Sequence, residues 1–178
     1  MGKTGLQREM DSFFRETEDD AFSIRRVTKG AFSQSRRKLA PDAFLKLNEI
    51  IWRDFYKEVD YLGYHGHKLL AVDGRFLNLP DHASIRKGFG TRGMGRGRLR
   101  GKKQSMCLLS MLYDPVNYLT LDVQTDHMDA SELQLFLRHL NKVEKDAVVL
   151  LDRGYLARYI FFILQSKGSH FIVRMKSN

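Results

Sequence analysis

Apolar and polar positions along the chain follow two spacings, and the change from one to the other falls near residue 60. Before it, Thr28 stands as a cap for a short helix reaching Leu39. Pro41 suits the first turn of a second helix, in which Phe44, Leu47, Ile51 and Phe55 recur at 3.6-residue spacing. Residues 1–24, acidic at Glu16, Glu18, Asp19 and Asp20, are expected to form a weak helix or a loose arm. After residue 60 the apolar runs shorten. Lys68-Leu69-Leu70-Ala71-Val72, stopped by Asp73-Gly74, reads as a buried strand, and residues 104–112 as a central strand turned by Asp114-Pro115. Leu119, Leu121 and Val123 alternate with Thr120, Asp122 and Gln124, the pattern of a half-exposed antiparallel strand. Asp129 with Glu132 three residues on gives a capping-box-like helix start, with Leu133, Phe136, Leu137 and Leu140 on one face. Residues 147–151 predict another buried strand, ended by Asp152-Arg153-Gly154. Residues 155–165 predict a second helix and residues 170–173 a last strand.

The resulting order is strand, strand, strand, helix, strand, helix, strand. Three strands joined by turns make an antiparallel meander, and a helix at 130–141 is long enough to lay the 147–151 strand parallel to the first. The fold class is therefore α/β, a mixed sheet that opens as a ribonuclease-H-like fold does and is incomplete at its C-terminus. Residues 1–60 are expected to be a helical, DNA-binding N-terminal region and residues 61–178 the sheet domain.

Charge sharpens this picture. With 30 Lys and Arg against 21 Asp and Glu, the net charge of +9 points to a polyanionic partner, nucleic acid first. Eight basic residues, no acidic one and six glycines lie between Arg86 and Lys103, and without this segment 22 basic residues face 21 acidic ones. Its glycines should keep it from settling as a helix or a central strand. Within it Arg92, Arg96, Arg98, Arg100, Lys102 and Lys103 are candidate phosphate contacts, and so are Arg36, Arg37 and Lys38 in a second basic stretch. The single cysteine, Cys107, sits in an apolar run, so neither a disulfide framework nor a cysteine zinc site can form, and a reducing, cytosolic setting fits. The longest apolar stretches fall far short of the ~20 residues a membrane span needs, so no membrane partner is expected.

Asp73 and Asp152 each stand at the end of an apolar run before a turn signal. If the two strands are parallel neighbours, both carboxylates lie on the sheet edge where open α/β sheets place their ligands. Close like charges favour a bound divalent cation, and hard oxygen ligands suit Mg2+ or Mn2+. Such ions activate a water or a 3′-hydroxyl in phosphodiester chemistry. Taken singly, either aspartate reads as a plain turn residue. His65-Gly66-His67 reads as structural, because neighbouring ligands in an extended segment point to opposite faces.

Val72-Asp73-Gly74 with Leu79-Pro80, then Leu150-Leu151-Asp152-Arg153-Gly154-Tyr155, then Phe171-Ile172-Val173-Arg174-Met175-Lys176, resembles the DDE transposases of bacterial insertion sequences, in the insertion-sequence-four-like group. The resemblance runs from about Val27 to the end. It implies that Asp73 and Asp152 are the first two catalytic carboxylates and metal ligands. It also implies that Arg153, Arg174 and Lys176 border the active site or the DNA path, and that Mg2+ or Mn2+ serves the complete site. DNA is the implied partner, as transposon ends and target, with a homodimer or a full-length transposase as a second partner, in a bacterial cytoplasm and associated with the nucleoid. The family's third carboxylate belongs to a Tyr-Arg-Glu-Lys signature beyond the last strand, and only Ser177 and Asn178 follow Lys176. Glu132, at a helix start, and Glu144, between a helix and a strand, are not recruited in its place. The chain is thus expected to be an N-terminal part of a transposase that does not cut DNA alone. The alternative is a non-catalytic nucleic-acid-binding protein that grips phosphates through the Gly/Arg segment.

Overall fold

A computed structural model of the chain describes residues 5–18, 27–93, 101 and 103–175. Two compact units divide it, residues 1–47 and 48–178. In the first unit α1 (Leu6–Glu18) and α2 (Lys29–Lys38) are joined through Gln7, whose side chain donates to the Val27 carbonyl at 2.9 Å and accepts from Lys29 N–H at 2.8 Å. Thr28 caps α2, its hydroxyl accepting from Ala31 N–H at 3.2 Å, as the sequence predicts. α2 buries none of its residues and carries Arg36, Arg37 and Lys38 in its last turn, at the negative end of the helix dipole, where cations are favoured. Helix α3 (Asp42–Glu58) begins in this unit and ends in the second.

The second unit is built on six strands: β1 (Leu69–Asn78), β2 (Thr91–Gly93), β3 (Lys103–Asp114), β4 (Leu119–His127), β5 (Val148–Leu151) and β6 (His170–Val173). The main path is β4–β3–β1–β5–β6, with β2 paired to residues 103–105 of β3. β3 is antiparallel to both of its long neighbours, whereas β5 and β6 run parallel to β1. This is the mixed sheet and strand order of the ribonuclease-H-like fold. Helix α4 (Ala83–Phe89) precedes β2, α5 (Glu132–His139) forms the crossover to β5, and α6 (Arg158–Ser166) leads into β6. Leu70, Val72, Leu112, Val149, Phe136 and Leu164 lie at the centre of the core. No helix among the described residues is long and apolar enough to cross a membrane.

Local pattern and tertiary packing disagree at several points. Asp73-Gly74 does not end β1: the strand continues five residues, because Asp73 through Asn78 pair with β3 and the ladder outweighs the turn preference. α5 starts at Glu132 with Ser131 at its cap, and the capping box at Asp129 does not form. Its buried residues are Leu135, Phe136 and His139, while Leu137 is exposed. In α3 Phe44, Leu47 and Ile51 are exposed, and the buried residue is Trp52. The 153–155 segment is a 3-10 turn, so α6 starts at Arg158 and not at Tyr155. The basic Gly/Arg segment starts inside helix α4, where Arg86 forms a two-pronged ion pair with Asp81 at 2.6 and 2.8 Å.

Turn chemistry at Asp114 is as strong as its sequence suggests. This fully buried carboxylate accepts from Val116 and Asn117 N–H groups, the Asn117 side chain and the Tyr56 hydroxyl, at 2.6–2.9 Å. Four donors offset the cost of burying the charge. Burial and the neighbouring Asp114 push the Tyr56 hydroxyl well above the usual tyrosine range.

Candidate active site

Parallel pairing of β1 with β5 runs from Leu69–Val148 to Ala71–Leu150. Two residues further along are Asp73 and Asp152, so the register brings the two side by side where β5 ends and β1 continues with β3 as its partner. The next strand over supplies Arg174, whose N–H donates to the Leu151 carbonyl at 3.1 Å. Asp73, Asp152 and Arg174 line one open cleft of about 410 Å³, floored by Ala71, Leu150 and Ile172. Asp152 is anchored by the turn it opens, one carboxylate oxygen accepting from Gly154 N–H at 2.7 Å. The Asp73 carboxylate is exposed and takes no hydrogen bond from a described residue.

A third carboxylate belongs to this neighbourhood. Glu132, the first residue of α5, packs over Gly74: a Cβ on Gly74 would stand 2.7 Å from the Glu132 carboxyl carbon. Burial first, then the charges of Asp152 and Asp73, raise the Glu132 carboxyl above its ordinary range. Tyr155 completes the group. Its side chain is buried, and burial followed by the nearby Glu132 carboxylate pushes its hydroxyl far up, against a hydrogen bond to Ser110 that pulls it down. The neighbouring Ser110 hydroxyl is engaged by His139 Nε2 at 3.0 Å. Asp73, Asp152 and Glu132 offer carboxylate oxygens of the type that suits a hard divalent cation, although the three do not close to within 4.8 Å of one another as a set.

Glu132, not recruited from the sequence, lies beside the two aspartates in the fold. The sequence signal was Gly74, which reads as half of a turn dipeptide but is the gap in β1 that admits the Glu132 side chain. Gly74→Ala closes that gap against the movable end of one side chain. It should cost less than about 1 kcal/mol in urea unfolding while weakening Mn2+ binding roughly tenfold, as loss of ligand positioning does. Equal Mn2+ affinity in the two proteins would contradict this placement.

Arg36, Arg37, Lys38, Arg92, Lys103 and Arg153 are all exposed, and the Arg92 guanidinium lies 5.1 Å from the centre of the Phe76 ring. Arg96, Arg98, Arg100, Lys102 and Lys176 lie outside the described residues.

A model of the transposase DDE domain matches residues 64–178, which include both aspartates and Glu132. The chain belongs to the DDE transposase family. No curated protein matches this transposase domain. Among solved structures it is similar to a chain of the crystal structure of the Mos1 strand transfer complex, at 14% identity and a TM-score of 0.38. The match covers 96% of this chain and 59% of that one, so the DDE chain described here spans about three-fifths of the length of that relative.

Proposed function

We propose that the chain acts on DNA phosphodiester bonds as an insertion-sequence transposase of the insertion-sequence-four-like group. In this reading Asp73, Asp152 and Glu132 hold Mg2+ or Mn2+. The observation that carries it is the register of β1 and β5, which sets two aspartates at adjacent strand positions beside a carboxylate from α5. Glu132 stands beside that pair from α5.

A divalent ion, when bound, polarises the scissile phosphate and lowers the pKa of a water or 3′-hydroxyl. The chain's own groups do the rest. Asp152 is fixed by Gly154 N–H through one oxygen, which leaves its second oxygen for the cation. Arg174 at the cleft rim and Arg153 in the following turn offer positive charge to a phosphate backbone. Exposed Arg92 and Lys103 add positive charge to the same unit, and Arg36, Arg37 and Lys38 on α2, with Arg96, Arg98, Arg100, Lys102 and Lys176, are further phosphate contacts by sequence. Residues 1–60 then serve DNA binding and residues 61–178 the chemistry, with transposon ends and target as substrates and a homodimer as the working assembly.

Glu132→Gln tests the reading through two readouts of opposite sign. A carboxyl whose pKa is raised on folding opposes folding once ionised, so at pH 7 the metal-free variant should be more stable than wild type. Its Mn2+ affinity should fall about tenfold or more, and Mn2+-dependent nicking of DNA, where wild type shows it, should fall with it. A variant destabilised without metal and unchanged in Mn2+ affinity would assign Glu132 a packing role. It would leave the non-catalytic DNA-binding reading as the better account.

A further inference from the structure

The amino-terminal ends of β1, β5 and β6 carry a second cluster, at the opposite edge of the sheet from Asp73 and Asp152. His67 precedes β1, Asp146 precedes β5 and His170 opens β6. The registers Leu69–Val148 and Val148–His170 align these three starts, so adjacent parallel strands bring the side chains together. His67 Nδ1 stands 3.3 Å from one Asp146 carboxylate oxygen, and His170 Nε2 stands 3.2 Å from the other. One ligand atom from each residue lies within 4.8 Å of the other two.

We propose that His67, Asp146 and His170 form a binding site for a borderline transition-metal ion of the Zn2+ class, separate from the hard-cation carboxylates. Bond lengths of 2.0–2.1 Å in a tetrahedral site put neighbouring ligand atoms about 3.3 Å apart; each imidazole keeps that spacing from a different Asp146 oxygen, so one ion needs only a small rotation of the carboxylate. Two imidazoles and one carboxylate favour zinc over magnesium, and a water takes the fourth position. The backbone holds the ligands in place. His67 is fixed by a tight turn in which Tyr64 and His67 exchange both backbone hydrogen bonds, with Gly66 at φ 83. The turn removes the objection that His65 and His67 alternate along an extended segment. Asp146 sits at φ 69, a left-handed conformation that aspartate tolerates at a cost, and its N–H donates to the Gly168 carbonyl at 2.9 Å. His170 is set by its own N–H, which donates to Ala147 at 2.8 Å.

Without metal, His67 Nδ1 also lies 3.0 Å from the Asp146 carbonyl oxygen, so its proton can sit on that nitrogen. An ion at Nδ1 would replace that contact and leave Nε2 as the ring's N–H. The three side chains are partly exposed, so exchange with solvent needs no opening of the fold.

Calorimetric titration of the full chain with Zn2+ tests the site. The expected result is one Zn2+ per chain, with affinity unchanged in the Asp73→Asn, Asp152→Asn variant and reduced at least about a hundredfold by His170→Ala, beyond the 10–100-fold that losing an outer partner costs. His170→Cys, which restores a zinc ligand, should keep the affinity within about tenfold. Absence of saturable Zn2+ binding, or equal binding by wild type and both His170 variants, would overturn the proposal. Zinc binding lost in the double aspartate variant and kept in His170→Ala would place the ion at the carboxylates instead. Because the two variants report on different edges of the sheet, failure here leaves the transposase reading standing.

Discussion

Asp73→Asn combined with Asp152→Asn is expected to abolish the stabilisation that Mn2+ confers on the wild-type chain. An ion that binds only the native state adds ~2.7 kcal/mol when its free concentration is about a hundred times its dissociation constant. For a domain of this size that corresponds to a rise in Tm of roughly 5–10 °C. The double variant should show almost none of it, since both strand-borne ligands are gone and Glu132 alone remains from α5. In the absence of metal the same variant should unfold at or above the wild-type temperature, because two charges that act on Glu132 are removed. A purely structural pair of turn aspartates predicts the reverse: a drop in metal-free stability and an equal Mn2+ response in both proteins.

His139→Ala is the second large expected effect, and it concerns the scaffold. His139 is fully buried on the core side of α5, with Nδ1 2.8 Å from an Asp122 carboxylate oxygen and Nε2 3.0 Å from the Ser110 hydroxyl. Truncation leaves a cavity, a half-buried carboxylate and a buried hydroxyl without their partner, and should cost about 3–5 kcal/mol in urea unfolding. The pH dependence follows from Asp122. Burial pushes its carboxyl up, but hydrogen bonds to His139 and Gln124 outweigh that and leave it below the ordinary carboxylate range. Such a group contributes stability above its unfolded pKa, near 4, that is lost as the pH falls through its folded value. Asp122→Asn should therefore flatten the acid limb of the stability curve. An unchanged limb would show that the Asp122–His139 contact does not contribute.

Residue pattern alone reached the strand order, because each buried strand is a compact apolar run and the crossover helix is of the right length. It also reached Asp152, whose strand does end where the pattern says. The limits of that reading have physical causes. β1 runs past Asp73-Gly74 because the ladder with β3 holds residues that favour a turn in isolation. The packing of Glu132 over Gly74 is a contact that no spacing along the chain encodes. His67 could not be connected with Asp146 and His170 because their partnership comes from the alignment of three parallel strand starts. In α3 the helical repeat of Phe44, Leu47 and Ile51 identified a helix correctly and its buried face wrongly, since Trp52 is the residue inside. Arg86 belongs to the basic segment by sequence but is held by Asp81 in the fold.

The account rests on a divalent cation seated among Asp73, Asp152 and Glu132, and cleavage of the chain by Fe2+-generated hydroxyl radicals would locate it. With Fe2+ in place of Mg2+, backbone cuts should cluster around residues 73, 132 and 152, fade as Mg2+ is added in competition, and vanish in the Asp73→Asn, Asp152→Asn variant. Cuts that avoid all three segments, or that persist in the variant, would contradict it.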